Sequence, residues 1–156
     1  MKISDFLHKD AICTDLKPDV KVDVISEMVG MLVDAGIIEK KHKNKIVEGL
    51  MAREALGSTA IGQGIAIPHT KSDTVTGLVG ALAISKKGVN FDSLDGESVF
   101  IFFLLIAPSD SAGPHLKALA RISRLLKDKY FRDSLKNAKT AKDVMEIISQ
   151  QDGRIG

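Results

Sequence analysis

The chain has 156 residues, 44% hydrophobic and 27% charged, which is typical of one globular domain, and we expect a single domain over 1–156. The net charge of +2 neither predicts nor excludes a charged partner, but with no Trp and one Tyr the chain lacks the aromatic surfaces that stack on nucleic-acid bases, so we expect no nucleic-acid partner. The longest apolar run, 99–107, is too short to cross a bilayer, and 1–10 contains no apolar signal-peptide run. The sequence therefore predicts a cytoplasmic protein without membrane insertion.

The first third of the chain predicts mostly helix. Residues 1–15 fit a helical turn and a short strand, and the strand contains Cys13, a lone thiol that we interpret as a core residue in a reducing compartment. Residues 39–54 predict a weakly patterned helix. A stronger helix is predicted over 20–35, ended by Gly36, because apolar residues recur there with helical spacing at Ile25, Met28, Val29 and Leu32.

The middle of the chain predicts three strands. After a loop of small residues over 57–64, the apolar run 65–67 predicts a short strand halted by Pro68. The run 79–85 predicts a second strand. The continuous, bulky run 99–106 predicts a third strand that is buried on both faces.

The last third predicts helices again. One helix should run from Pro114 to about Lys127, and a short one should cover 131–135. The last should begin at Thr140, whose spacing to Asp143 resembles a capping box. Helices at both ends with short strands between them indicate an α/β fold, an α/β sandwich in which helices flank a mixed parallel and antiparallel sheet.

Four histidines are candidates for chemistry, and two of them stand out. His8 and His42 lie among charged residues on segments that should be solvated. His69 directly follows a buried strand and Pro68, as a rigidly presented reactive group would, although a structural histidine that caps the strand fits equally well. His115 lies at the start of a helix, where free N–H groups suit a phosphate, although a partly exposed first-turn residue is the simpler interpretation.

Strand direction brings these two histidines together. If each short connection reverses the chain, the strands over 65–67 and 99–106 run the same way, and 79–85 runs opposite to both. His69 and His115 then both follow the carboxyl ends of parallel strands, which is where open α/β sheets place their ligands. A crossover in either connection would separate them.

Arg53 and the loop after it form a candidate anion site. Arg53 closes a helix, and its planar guanidinium could pair with a phosphate, although a helix-end Arg commonly faces its own terminal carbonyls. The loop lacks a Walker A motif and a G-x-G-x-x-G motif, so it is not a nucleotide cradle. Small side chains would let its backbone pass close to an anion, and the candidate supporting residues are Ser58, Thr59, Gly62 and Gly64.

The run Arg53-Glu54…Ser58-Thr59-Ala60-Ile61-Gly62-Gln63-Gly64-Ile65-Ala66-Ile67-Pro68-His69 resembles the signature of a known family. That family is the fructose/mannitol-type (type 2) IIA domain of the bacterial phosphoenolpyruvate-dependent sugar phosphotransferase system, with its nitrogen-regulatory paralogues. The resemblance covers nearly the whole chain and includes Pro114-His115. It implies a mixed sheet flanked by helices and a phosphotransferase component that works through phosphohistidine.

The resemblance also implies roles for single residues. His69 matches the histidine that accepts phosphate from the phosphocarrier protein HPr, with Nε2 as the expected nucleophile. His115 matches the second active-site histidine, and Arg53 the arginine of phosphoryl binding and transfer. The sequence departs from the usual pattern at Ala60, where glycine is commoner, and at Thr70, whose hydroxyl could add a contact near the site.

The resemblance implies protein partners, and no cofactor or metal is expected. The phosphate would pass from HPr to a cysteine of a IIB component, and the protein would stay peripheral to a membrane IIC permease. Both partners must dock over the site, so we expect an apolar patch around the rim near His69. The main alternative is a nitrogen-type regulatory protein that signals by phosphorylation-dependent binding. A histidine-dyad hydrolase is disfavoured because no G-x-S-x-G motif is present.

Overall fold

The computed structural model describes residues 1–155. It contains six strands and five α-helices, with short 3₁₀ turns at Ile3–Asp5 and Lys40–His42. The strands are β1 (Leu7–Cys13), β2 (Ala60–Gly62), β3 (Ile65–Ala66), β4 (His69–Ser72), β5 (Val79–Val89) and β6 (Val99–Pro108). The helices are α1 (Lys21–Asp34), α2 (Lys43–Ala55), α3 (Ala112–Leu126), α4 (Lys129–Asn137) and α5 (Ala141–Arg154).

The six strands form one mixed sheet in the order β1-β5-β6-β3-β2, and β4 also pairs with β6. β5 and β6 are antiparallel, whereas β1 is parallel to β5, and both β3 and β4 are parallel to β6. The predicted reversals of direction are therefore confirmed. β3 and β4 both lie along β6, with Ile65 opposite Ile101 and His69 opposite Leu105.

The sheet is the middle layer of an α/β sandwich, as the sequence predicts. Side chains alternate between its two faces, so Phe102 and Leu104 of β6 pack towards α1 and α2, while Phe103 and Leu105 pack towards α3, α4 and α5. Both faces of β6 are buried, which explains its unbroken apolar sequence. The small residue Cys13 is half-buried against the α1 and α2 side.

The helix ends follow local chemistry. The Thr140 side chain accepts a hydrogen bond from the Asp143 N–H at 3.1 Å, so it caps α5 as predicted. The Asp128 carboxylate caps α4 in the same way, with the Phe131 N–H at 3.0 Å. Gly36 has a φ of +74° just after α1, the left-handed conformation that commonly terminates a helix.

Two strand predictions need correction. The chain does not leave the sheet at Pro68, because it resumes pairing with β6 at His69 and forms β4. β5 continues past the predicted end at Ser85 through two lysines to Val89.

Within residues 1–155 we find no helix that combines the length and the apolar character required to span a membrane.

Candidate functional site

His69 is the first residue of β4, and one of its ring nitrogens is already occupied. Its Nδ1 lies 2.8 Å from the carbonyl oxygen of Ile67. A carbonyl can only accept, so Nδ1 must carry the proton, and in the neutral ring Nε2 then holds the free lone pair. The side chain is half-buried, so the ring is held by its surroundings while part of it reaches the surface. This geometry prepares Nε2 as a nucleophile.

His115 lies against His69, as the predicted topology requires. It is in the first turn of α3, directly after β6, and its ring centroid is 5.5 Å from that of His69 at an interplanar angle of 74°. The residue is only 7% exposed, so the simpler interpretation of a partly exposed first-turn residue is wrong. Its Nε2 is buried and has no hydrogen-bond partner among the described residues. A buried polar atom left free beside a second imidazole is typical of a functional site.

The electrostatics of the pair favour neutral imidazoles. Burial lowers the pKa of His69 below 6.5, opposed by the bond to the Ile67 carbonyl and assisted by the charge of Arg53. Burial also lowers the pKa of His115, and the charges of His69 and Lys71 lower it further. Burial and the nearby positive charges disfavour a further positive charge in a crowded, partly dry site. Both rings are therefore predominantly neutral at pH 7.

The charge of Arg53 acts on His69, but the Arg53 guanidinium is hydrogen-bonded to the backbone at the end of its own helix. Its Nη1 donates to the carbonyl oxygen of Gly57 at 2.8 Å, just beyond the end of α2. This contact is close to the alternative given in the sequence analysis, in which a helix-end Arg faces the carbonyls at the end of its own helix. The guanidinium has four further N–H groups, so an anion at Nε2 of His69 could still attract it.

The hydroxyl groups of Ser58 and Thr59 are already donated within the protein. Ser58 Oγ donates to the Phe91 carbonyl at 2.6 Å, and Thr59 Oγ1 donates to the buried carboxylate of Glu54. Both residues therefore shape the loop, and neither hydroxyl is free to donate to a phosphate. The sequence analysis missed Glu54, which follows Arg53 and is only 5% exposed.

The two glycines predicted to support phosphate binding do not lie beside His69. The Gly64 carbonyl accepts from Phe100 and Ile101 at the start of β6, whereas His69 pairs with Leu105, four residues and roughly 13 Å further along the strand. Gly62 lies beside Gly64, and a Cβ added there would lie 3.0 Å from the Asp95 carboxylate. The structure thus places both glycines in the turn between β2 and β3 and not beside His69, and their role in phosphate binding stays a prediction.

Thr70 faces away from the histidine pair. Strand alternation places it on the opposite side of β4 from His69, and its Oγ1 lies 3.0 Å from the position of a Cβ added to Gly49 of α2. The expected contact with the site is therefore absent. The same alternation places the exposed Lys71 on the His69 face, and its charge acts on His115. Only a correct prediction of β4 would have identified Lys71.

The other candidates lie outside this cluster. His8 is exposed on β1, and His42 lies 3.7 Å from the Glu39 carboxylate, so neither contributes to the pair. Among residues 1–155, no group of three or more His, Cys, Asp or Glu side chains is arranged to hold a metal ion. The site is thus two neutral imidazoles with an arginine and a lysine near them.

A rigid, neutral imidazole with its lone pair free and cations nearby is chemically suited to accept an anionic group. Residues 5–151 match the family described as "Phosphoenolpyruvate-dependent sugar phosphotransferase system, EIIA 2", and the chain belongs to this family. Members of the family are phosphotransfer components. The resemblance noted from Arg53 to His69 is thereby confirmed.

Curated relatives include sugar-type and nitrogen-type proteins. The chain is 38% identical over 152 residues, 97% of its length, to the "PTS system fructose-specific EIIABC component" of Bacillus subtilis (strain 168), of which it spans only 24%. It is 34% identical over 149 residues to the "Nitrogen regulatory protein" of Bradyrhizobium diazoefficiens, and the match covers 96% of this chain and 95% of that protein.

Solved structures show the same architecture. The nitrogen regulatory protein IIA-Ntr from Neisseria meningitidis superimposes with a TM-score of 0.84 at 32% identity, covering 94% of this chain and 98% of that one. Enzyme IIA of the Escherichia coli mannitol system, solved in complex with phosphorylated enzyme IIB, superimposes with a TM-score of 0.76 at 20% identity, covering 90% of this chain and 95% of that one. The second match concerns the fold alone.

Proposed function

We propose that the protein is a phosphoryl carrier that accepts phosphate from phospho-HPr on His69 and passes it to a cysteine of a IIB component. The observation that carries this proposal is the hydrogen bond from His69 Nδ1 to the Ile67 carbonyl, because it leaves Nε2 as the nucleophile. Membership of the EIIA family supports a donor and an acceptor from a sugar phosphotransferase system.

In the proposed step, the Nε2 lone pair of His69 attacks the phosphorus in line with the bond to the donor. An N–P bond forms at Nε2 as the donor's bond to phosphorus breaks, and its electron pair leaves with HPr. The proton on Nδ1 remains in its bond to Ile67, so no base is needed. Such transfers depend mainly on positioning and on charge stabilisation, which Arg53 and His115 would provide.

The return step repeats the same displacement. A thiolate of IIB attacks phosphorus in line, a P–S bond forms, and the P–N bond breaks with its electrons returning to Nε2 of His69. Support for a IIB partner comes from the mannitol IIA of similar fold, which was solved bound to phosphorylated IIB. Cys13 is not the acceptor in this scheme, because it is half-buried in the core.

Exposed leucines suggest where these partners dock. Leu116 follows His115 directly and is 68% exposed, and Leu56 at the end of α2 is 85% exposed. Leu56 comes three residues after Arg53 in the sequence. Apolar side chains this exposed suit a transient protein interface of the kind expected around the site. We propose that HPr and IIB contact both leucines in turn.

A nitrogen-type regulatory role is the second candidate. The nitrogen regulatory protein of Bradyrhizobium diazoefficiens is matched over 95% of its length, whereas the fructose-specific relative is matched over only 24%. In this role His69 would use the same chemistry, but the phosphorylated and unphosphorylated forms would differ in which proteins they bind.

The test of the carrier proposal is phosphorylation with phosphoenolpyruvate, enzyme I and HPr, followed by mass spectrometry for an acid-labile phosphate. Wild-type protein should gain one phosphoryl group. His69→Ala should gain none while keeping its circular-dichroism spectrum, and the matched control His8→Ala should label like wild type. Undiminished labelling of His69→Ala would refute the assignment.

Addition of purified IIB then separates the two roles. If the protein is a sugar-transport carrier, label should pass quickly from His69 to the IIB cysteine. If IIB of several sugar systems removes no label, transport is excluded and the regulatory role is favoured. Fractionation of cells that express the protein would test the expected cytoplasmic location.

A further inference from the structure

Glu54 is a buried carboxylate with an unusually complete set of partners. It lies in the last turn of α2 and is 5% exposed. Its Oε1 accepts from the Lys21 ammonium at 3.1 Å and from the Thr59 backbone N–H at 3.2 Å, and its Oε2 accepts from the Thr59 hydroxyl. Two donors from one residue fix the position of Thr59 against α2 more firmly than packing alone.

Thr59 in turn connects to the residue that orients His69. The Thr59 carbonyl accepts the Ile67 N–H at 3.3 Å, and the Ile67 carbonyl accepts from His69 Nδ1 at 2.8 Å. A series of hydrogen bonds, linked by the covalent backbone of Thr59 and Ile67, therefore connects Glu54 to the reactive ring. These hydrogen bonds lie at the break between β3 and β4, where pairing with β6 is interrupted at Ile67. There the Ile67 backbone is held by Thr59 instead.

Lys21 holds the other side of the carboxylate. Its ammonium lies between Glu54 and Asp92, 3.2 Å from the latter, and 4.7 Å from the centre of the Phe91 ring. Its side chain is only 15% exposed, so the pair with Glu54 is largely shielded from water. The ammonium therefore gives Oε1 a charge-assisted hydrogen bond, while Oε2 accepts from the Thr59 hydroxyl.

From these contacts we infer that Glu54 is a positioning residue for His69, acting through Thr59 and the Ile67 carbonyl to keep the proton on Nδ1 and the lone pair on Nε2. The inference extends the proposed function, on which it rests for the importance of Nε2. Glu54 itself does not touch the phosphoryl group. Its contribution is geometric, because it fixes the acceptor that selects the tautomer.

The inference is tested in the unphosphorylated protein by ¹⁵N NMR of the His69 ring at pH 8. Wild type should show a protonated Nδ1 and a free Nε2. Thr59→Val removes only the hydroxyl donor, and Glu54→Ala removes both bonds. Each should give a mixture of tautomers, and phosphorylation should slow by about five- to tenfold, the loss expected for one positioning hydrogen bond.

Two conservative variants separate hydrogen bonding from charge. Glu54→Gln keeps an oxygen for the Thr59 N–H and places an amide beside the hydroxyl, which can accept from it, and Thr59→Ser keeps the hydroxyl. Both should retain the wild-type tautomer and a rate within about twofold. If Glu54→Gln loses as much as Glu54→Ala, the charge of Glu54 acts directly and the inference is overturned.

Asp152→Ala is the matched control for loss of a buried carboxylate. Asp152 is 2% exposed and accepts from Arg121 and the Ile3 N–H, at contacts that do not involve Thr59 or Ile67. It should lower stability without changing the His69 tautomer. An unchanged tautomer in folded Glu54→Ala and Thr59→Val would overturn the inference. Because the NMR readout needs no HPr, a tautomer shift in a protein that HPr does not label would sink the proposed function alone.

Discussion

Replacing His115 by leucine should stabilise the protein while impairing its chemistry. His115 Nε2 is buried without a hydrogen-bond partner among the described residues. An unsatisfied buried polar atom costs about 1–3 kcal/mol, and leucine fills a similar volume with no polar atom. The free energy of unfolding of His115→Leu should therefore rise by up to about 3 kcal/mol, which for a chain of this size raises Tm by about 2–12 °C.

The measurement is urea denaturation and thermal melting at pH 8, where both histidines are neutral. His115→Gln is the matched control, because glutamine resembles leucine in helix propensity but brings polar atoms to the same site. It should show no gain. If glutamine stabilises as much as leucine, helix propensity is the cause, and if leucine destabilises the fold, the cost assigned to Nε2 is wrong.

The same variant tests the role of His115 in transfer. Phosphorylation of His115→Leu by phospho-HPr should still occur, on His69, but at a reduced rate, as should that of His115→Ala. Opposite effects on stability and rate would identify His115 as a residue kept for function at the expense of the fold. Wild-type rates in both variants would remove His115 from the site.

Two further predictions concern pH and the turn between β2 and β3. Burial lowers the pKa of both His69 and His115 from 6.5 in the folded protein, so as pH falls the unfolded chain takes up protons first. The contribution of the two neutral histidines to the free energy of unfolding is therefore complete above about pH 6.5. It is lost as pH falls through the pKa values of the folded state. Urea titrations from pH 8 to 5 should show this loss, and it should shrink in the double variant His69→Ala, His115→Leu. Gly64→Ala should lower stability by about 1–2 kcal/mol, since φ is +76° and the new Cβ would lie 3.3 Å from the Phe100 ring. Its phosphorylation rate should stay at the wild-type value, and a large fall would restore Gly64 to the site.

Patterns of apolar residues were sufficient to predict most of the architecture. β6 was predictable because a strand buried on both faces has a continuous apolar sequence. α1 was predictable because a helix buried on one face has apolar residues three and four positions apart. The meeting of His69 and His115 followed from strand direction alone. The long, specific run ending at His69 added the family and the chemistry.

β4 could not be predicted, because His69, Thr70, Lys71 and Ser72 contain no apolar side chain. These residues are extended because β6 offers hydrogen-bond partners alongside them, which is a tertiary effect invisible to local propensity. Missing β4 meant missing its alternation, and so Thr70 was placed on the wrong face and Lys71 was overlooked.

The loop was misread for a related reason. Glycine content indicates an unusual backbone but not which end of a strand it occupies, so Gly62 and Gly64 appeared to belong beside His69. Glu54 was overlooked because a charged residue near a helix end usually faces water. Its burial depends on the loop folding back so that Thr59 can donate to it, and that contact has no signature in local sequence.

The position of His69 on β4 has a consequence for self-association. Within the described residues β4 pairs with no strand except β6, and strand edges without a strand partner can recruit strands from other copies of a protein. β4 is four residues long and carries the exposed Lys71, two features that natural sheets use to prevent such stacking. His69 on this strand can therefore be reached by partner proteins, while the short strand and the repulsion between Lys71 side chains of two copies disfavour edge-to-edge aggregation.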